Sequence, residues 1–148
     1  MLIGTLVSMS LLCCSVLAKD KVVSWVSENN GRKLEKWLKA GGDPNLRDEN
    51  GCTLLYVATG PHGGNDVVRV LIAHAGNVNA GCGKYTPLMN AASWGNDAAV
   101  QLLLTAGADP NLKNEEGRRA VDLIGNDGDR VHQERIRQIL LGATSNGR

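Results

Sequence analysis

The sequence has almost no excess of charge of either sign. Sixteen lysines and arginines stand against fifteen aspartates and glutamates, which gives a net charge of +1 over 148 residues. The basic residues form no stripe, so the chain lacks the positive surface on which binding to a phosphate backbone depends. The composition therefore argues against a nucleic-acid partner.

Signatures of enzymatic chemistry are also missing. The chain has no GxSxG, HExxH or P-loop motif. Its three histidines, His62, His74 and His132, lie far apart, and none has a cysteine or carboxylate at the spacing of a metal site. We therefore expect a protein that is not an enzyme and that carries no metal and no cofactor.

The first 18 residues contain no charged side chain and are mostly apolar. Val16 and Ala18 stand at the minus-three and minus-one positions of a secretory cleavage site, directly before a charged stretch. We therefore expect residues 1–18 to be a signal peptide cleaved after Ala18, and the mature protein to be periplasmic or secreted, with no membrane segment. Two alternatives stay open: a lipoprotein signal at Cys13 or Cys14, and the apolar first helix of a cytosolic protein.

A pattern that recurs every 33 residues organises the rest of the chain. The segment Thr-Pro-Leu-Met-Asn-Ala-Ala-Ser-Trp-Gly at residues 86–95 has worn copies 33 positions upstream, from Thr53, and 33 positions downstream, from Arg119. A second pattern of small residues followed by Asp or Asn lies at residues 41–45, 75–79 and 107–111. A 33-residue period with a TPLH-type helix start and a GADxN-type helix stop resembles the ankyrin repeat.

The resemblance covers roughly residues 20–141 and implies an all-α ankyrin-repeat solenoid of about four helix–turn–helix units with short loop fingers. We expect Thr86 to cap a first helix and Pro87 to occupy its first turn. Trp25 and Trp37 are expected to cover the open end of the stack. The predicted units span residues 19–48, 49–81, 82–114 and 115–142, and a flexible tail is predicted at residues 143–148.

Two departures from the period fall in the middle pair of units. The turn at residues 59–64 has one residue more than its counterpart in the third unit, and the loop at residues 79–86 is one residue shorter than its neighbours. Cys52 and Cys82 lie in the adjacent loops there, and without the signal peptide they are an even pair in an oxidising compartment. Stacked loops lie about 10 Å apart, so a disulfide requires a distortion that the shortened loop would supply. The alternative is two separate thiols.

The resemblance also implies that partners meet the loop tips and the concave inner face of the first helices. Trp94 stands out there, because the fold requires no particular residue at its position and exposure is expected. An exposed Trp94 beside an exposed Tyr85 has the composition of an interface hot spot, whereas the alternative is that Trp94 only packs on a neighbouring helix. The predicted partner-binding residues are Glu49, Asn50, Pro61, His62, Lys84, Tyr85, Ser93, Trp94, Glu116, Arg118, Asn126 and Asp127, with Ser27 and Glu28 extending the surface.

These features predict a secreted module that binds another protein, as a monomer or in a 1:1 heterocomplex. The chain resembles small secreted ankyrin proteins of bacteria that act in immunity or self-protection. That resemblance implies binding and inhibition of an envelope enzyme such as a cell-wall hydrolase. The alternatives are a non-inhibitory periplasmic scaffold or stress-defence accessory protein, and an exported effector that binds host proteins.

Overall fold

A computed structural model describes residues 19–125 and 130–145 of the chain. The predicted signal peptide and the predicted binding residues Asn126 and Asp127 lie outside this described part. Within it the backbone forms seven α-helices and one 3-10 helix, and its only β-pairings are isolated bridges. The helices are α1 (residues 19–27), α2 (Gly31–Lys39), α3 (Leu54–Ala58), α4 (Asn65–Ala73), α5 (Pro87–Ser93), α6 (Asp97–Thr105), the 3-10 helix (Ala120–Leu123) and α7 (Arg130–Ser145).

The helices stack in two rows along the chain. In the first row α3 contacts α5, and α5 contacts the 3-10 helix. In the second row α2 contacts α4, α4 contacts α6, and α6 contacts α7. The rows are joined because α3 packs on α4 and α5 packs on α6. Each helix pair thus buries its apolar side against the next pair, which is the arrangement of a repeat solenoid. The predicted all-α solenoid is confirmed.

One elongated core runs between the two rows of helices. Leu55 and Leu88 enter it from the first row, and Leu38, Leu71 and Leu103 enter it from the second, all with 6 % or less of their surface exposed. Because these residues recur at the spacing of the repeat, the core continues across every boundary between helix pairs. No pair has a core of its own, so each depends on its neighbour for stability.

The starts of the first helices follow the predicted capping chemistry. Thr53 Oγ1 accepts a hydrogen bond of 3.2 Å from the Tyr56 backbone N–H, and Thr86 Oγ1 accepts one of 3.2 Å from that of Met89. Pro87 is the first residue of α5. A backbone N–H at this position would have no partner within the helix, so proline costs no hydrogen bond there. The two threonines therefore satisfy backbone donors that a helix start otherwise leaves unpaired.

The fourth pair begins differently, because arginine replaces the capping threonine. Asp122 Oδ2 accepts a hydrogen bond of 3.0 Å from the Arg119 backbone N–H. This hydrogen bond lowers the pKa of the Asp122 carboxyl below its usual value, and the Arg119 charge acts in the same direction. The short 3-10 helix that follows replaces the α-helix found at this place in the second and third pairs.

Two tryptophans lie at the first helix pair, where they were expected to cover the open end of the stack. Trp25 and Trp37 are half-buried, and both pack against the core. The Trp37 ring covers Gly42, where a Cβ would overlap the indole. At the other end α7 continues to Ser145, so residues 143–145, where the tail was predicted to begin, are helical. The hydroxyls of Thr144 and Ser145 donate back to the carbonyls of Leu141 and Gly142 in the preceding turn.

Asparagine side chains connect the loops of successive units. Asn45 Oδ1 accepts a hydrogen bond of 2.7 Å from the Asn77 backbone N–H, and Asn79 Oδ1 accepts one of 2.9 Å from that of Asp109. Each bond joins a loop to the equivalent loop about one repeat later. The loops are therefore fixed relative to one another as well as to their own helices.

One helix stop carries backbone strain that its counterpart avoids. Ala75 follows α4 with a φ of 60°, whereas Gly107, in the same place after α6, has a φ of 89°. Because a Cβ makes the left-handed region unfavourable, we expect Ala75→Gly to raise the free energy of unfolding by about 0.5–1 kcal/mol. Urea titration measures this change. The matched variant Gly107→Ala should lose about 1 kcal/mol; a loss in Ala75→Gly as well would show that the strain is not there.

Candidate protein-binding groove

A groove of about 270 Å³ crosses three successive helix pairs at the ends of their first helices. The end of α1 contributes one wall, α3 and the long turn after it contribute the floor and the middle, and the end of α5 contributes the other wall. Eight residues line it: Ser27, Tyr56, Val57, Gly60, Pro61, His62, Asn90 and Trp94. Four of them, Ser27, Pro61, His62 and Trp94, were predicted to contact a partner, and the structure brings these four together. A fifth, Gly60, lies in the turn that was predicted to be one residue longer than its counterpart.

Trp94 is the most prominent side chain of the groove. It is the residue that ends α5, and 58 % of its surface is exposed. Its indole Nε1–H donates a hydrogen bond of 3.1 Å to Asn90 Oδ1, one helical turn earlier. The predicted exposure of Trp94 is therefore present, together with a hydrogen bond that fixes the direction of the ring.

Asn90 holds Trp94 in place by being fixed itself. Only 8 % of its surface is exposed, and its Nδ2 donates 2.9 Å to the Tyr56 carbonyl and 3.3 Å to Thr59 Oγ1. The Thr59 hydroxyl in turn donates 2.8 Å to the same carbonyl. This network, which we call the Asn90 bridge, links α5 to the end of α3. It ties the orientation of the exposed indole to the contact between the second and third pairs.

The inserted residue in the long turn produces a projecting loop beside Trp94. Pro61 and His62 are exposed at its tip, and the turn closes through hydrogen bonds from Gly60 to Val57 and from Gly63 to Gly60. A Cβ at Gly63 would overlap the backbone of Ala58, so only glycine lets the turn lie this close to α3. The extra residue predicted from the broken period thus forms the middle of the groove.

Sequence reasoning missed three lining residues: Tyr56, Val57 and Asn90. Tyr56 lies in the fourth position of a worn copy of the repeated segment, where the period indicates only a helix. Burial raises the pKa of its phenol above the usual value, and the neighbouring Tyr85 adds to the shift. The phenol therefore stays protonated at neutral pH and keeps its O–H donor. The available signal for these lining residues was a tyrosine in the first helix of one unit and an asparagine in the first helix of the next.

The shortened loop lies against the loop before it. Cys82 and Tyr85 exchange two backbone hydrogen bonds, of 2.9 and 3.0 Å, which closes a tight hairpin with Lys84 at its tip. A Cβ at Gly81 would overlap the Tyr85 carbonyl, so the hairpin requires glycine there. This compact hairpin is the distortion that was expected from the missing residue.

Cys52 and Cys82 form a disulfide across these two loops, with their Cα atoms 4.1 Å apart. Other contacts hold the loops in the same position. The Thr53 hydroxyl donates 2.7 Å to the Ala80 carbonyl, and Arg47 Nη1 donates to the carbonyls of Gly51 and Gly81. Of the two alternatives left open by the sequence, the structure contains the disulfide.

The remaining predicted contact residues lie elsewhere on the surface. Glu49 and Asn50 line a second hollow of about 270 Å³ with the start of α1. Lys84 and Ser93 are exposed, and Tyr85 is half-buried against the core. Glu116 and Arg118 pair with each other on the loop of the fourth unit. The hollow at Glu49 and Asn50 shares no lining residue with the groove at Trp94.

The histidines have separate surroundings. His62 lines the groove, and His132 Nδ1 lies 3.7 Å from the Asp97 carboxylate, which also pairs with Arg135. Among residues 19–125 and 130–145, no group of three His, Cys, Asp or Glu side chains is placed to hold a metal ion. A search of the same ranges found no helix with the length and apolar character needed to cross a bilayer.

The fold is that of a helical-repeat protein, and its groove lies at the ends of the first helices. A family model described as ankyrin repeats in three copies matches residues 23–114, which is more than half of the chain. The chain belongs to the ankyrin-repeat family. Because members of this family are generally non-catalytic modules that bind other proteins, it is a protein-interaction module.

Known proteins that resemble the chain come from organisms that are distant from one another. Ankyrin repeat and MYND domain-containing protein 1 of Homo sapiens is 34 % identical over 98 residues, covering 64 % of this chain and 10 % of the human protein. An ankyrin repeat-containing protein of Treponema pallidum is 32 % identical over 107 residues, covering 71 % of this chain and 36 % of the relative. An ankyrin repeat-containing protein of Schizosaccharomyces pombe is 29 % identical over 108 residues, covering 71 % of this chain and 51 % of the relative. The chain thus spans about half or less of the length of these relatives.

Proposed function

We propose that this chain is a secreted ankyrin protein that binds an envelope enzyme, such as a cell-wall hydrolase, and blocks its active site. In this role it would act as an immunity or self-protection factor. The observation that carries the proposal is the groove at Trp94, where an exposed aromatic ring is held in one orientation by the Asn90 bridge. A ring fixed in advance loses little conformational freedom when a partner covers it, which favours tight and specific binding.

The disulfide supports the secreted location. Disulfides persist mainly in oxidising compartments such as the periplasm or the extracellular space, and Cys52–Cys82 joins two loops next to the groove. Cleavage after Ala18 would deliver the chain to such a compartment. N-terminal sequencing of the protein isolated from the periplasm or the medium tests this part of the proposal, since the mature chain should begin at Lys19.

The proposed inhibition is tested by capture and enzyme assay. The full chain, produced in an oxidising compartment and immobilised through a C-terminal tag, is incubated with envelope extract of the source organism. We expect one hydrolase to be retained on the wild-type protein and not on Trp94→Ala. The purified enzyme should then lose its activity as the wild-type protein approaches a 1:1 ratio, while Lys36→Ala, which changes an exposed residue of α2 outside the groove, inhibits like the wild type.

Two other results would contradict inhibition and point to the alternatives. An enzyme that keeps full activity in a saturated, stable complex would make the protein a non-inhibitory scaffold or stress-defence accessory protein. Capture of proteins from a host extract, with none from the envelope, would make it an exported effector. A monomer in isolation and a 1:1 complex with the enzyme are the expected masses in light scattering.

A further inference from the structure

The side chains of the groove limit what kind of segment it can receive. None of its eight lining residues is Lys, Arg, Asp or Glu, although 21 % of the chain is charged. A charged side chain entering the groove would lose water and find no opposite charge, so the groove disfavours both acidic and basic segments.

The side-chain donors at the wall of the groove are also already used. The Trp94 indole N–H is bound to Asn90, and Asn90 Nδ2 donates to both the Tyr56 carbonyl and the Thr59 hydroxyl. The Ser27 hydroxyl donates to the Val23 carbonyl. A partner therefore cannot use the indole N–H as a hydrogen-bond donor to its backbone without breaking the Asn90 bridge. The exposed apolar surface of the indole is what remains for a partner, with Pro61 and Val57 in the same groove.

We infer that the groove receives an extended, uncharged loop of the partner protein that inserts one apolar side chain, leucine or proline, against the face of Trp94. The phenol of Tyr56 and the imidazole of His62 are the polar groups that orient the backbone of this loop. The inference rests on the proposed function only in taking the groove as the surface that binds the partner. It adds the chemistry of the segment that is recognised.

The inference is tested with four capped tripeptides, acetyl-Gly-X-Gly-amide, in which X is Leu, Pro, Glu or Arg. Each is titrated into the ¹⁵N-labelled full chain, and the indole N–H of Trp94 and the backbone N–H of His62 are followed by NMR. Replacement of Trp94 by phenylalanine identifies the indole signal. We expect the Leu and Pro peptides to shift both signals and to bind at least about tenfold more tightly than the Glu and Arg peptides, which is the preference that burial of one aliphatic side chain gives.

Variants separate binding at the groove from binding elsewhere. Trp94→Ala should lose the preference for the Leu peptide, whereas Lys36→Ala, which changes an exposed residue of α2 outside the groove, should keep it. Equal binding of a charged peptide, shifts of the His62 signal that persist in Trp94→Ala, or no shift with any of the four peptides would overturn the inference.

Failure of the proposed function can be distinguished from failure of the inference. If the Leu peptide binds the groove but no envelope enzyme is inhibited, the proposed function fails and the inference stands. If an enzyme is inhibited equally well in the presence of saturating Leu peptide, the groove is not the binding surface. In that case the inference fails while inhibition is retained.

Discussion

Loss of the Cys52–Cys82 disulfide is expected to lower the free energy of unfolding by about 3–4 kcal/mol. The cross-link joins residues 30 positions apart and encloses α3 and α4. Closing a loop of that length in the unfolded chain removes conformational entropy equivalent to about 3–4 kcal/mol at room temperature in the chain-entropy account. Because small domains are stable by only about 5–15 kcal/mol, this is a large share of the total.

The measurement is urea unfolding of the oxidised wild type, the reduced wild type, Cys52→Ser, Cys82→Ser and the double variant. Each change removes the same cross-link, so the two single variants and the double variant should lose similar amounts. Lys84→Ala is the control, because it alters the tip of the same hairpin without touching the disulfide. Equal stability of the oxidised and reduced proteins, or losses that add up in the double variant, would contradict the prediction.

The loops should stay together after reduction, although less firmly. The Thr53 hydroxyl still donates to the Ala80 carbonyl, and Arg47 still bridges the carbonyls of Gly51 and Gly81. Both sets of contacts lie outside the sulfur bridge and survive its loss. We therefore expect the reduced protein to keep its helical circular dichroism at room temperature and to unfold at a lower urea concentration.

The sequence predicted the fold well because the fold depends on features that recur. Thr53 and Thr86 cap first helices 33 residues apart, and the helix stops lie at the positions that the second pattern indicated. A repeated position has the same neighbours in every unit, so its role can be inferred from several copies at once. The end of α7 had no second copy to compare with, and the helix runs three residues past the predicted end of the fourth unit.

Only half of the groove residues could be predicted, because the others do not stand out from the repeat. Pro61, His62 and Trp94 could be identified because they depart from the repeat or are not required by it. Tyr56 and Asn90 come together in the groove through the hydrogen bond between them, which joins residues 34 positions apart in the sequence. Periodicity indicates which face of a helix is buried, but not which carbonyl of the next unit lies within reach of a buried amide. The disulfide was left open for a similar reason, since it depends on the path of a loop that has lost a residue.

Replacing Trp94 by alanine is expected to weaken partner binding by at least about 30-fold while leaving the protein folded. Truncation of a central aromatic anchor typically costs 2 kcal/mol or more, which corresponds to about 30-fold in the dissociation constant. Since 58 % of the Trp94 surface is exposed to solvent, the same change removes few core contacts. The dissociation constant for the captured enzyme and the thermal midpoint of the free protein are to be measured side by side.

Trp37→Ala is the matched control, because it also removes an indole. The Trp37 ring is half-buried and covers Gly42 at the other side of the stack, away from the groove lining. It should lower the thermal midpoint and leave the affinity of the folded protein unchanged. The opposite result for Trp94, a large drop in the midpoint with intact affinity, would identify that residue as a packing element of α5.

The Asn90 bridge allows the contribution of a fixed ring to be separated from that of the ring itself. Asn90→Ala leaves the indole in place but removes the acceptor of its N–H and the two bonds to the end of α3. If orientation matters, this variant should bind less tightly than the wild type and more tightly than Trp94→Ala, because the ring remains but must be ordered on binding. If Asn90→Ala is fully folded and binds the partner as tightly as the wild type, the bridge contributes to stability alone.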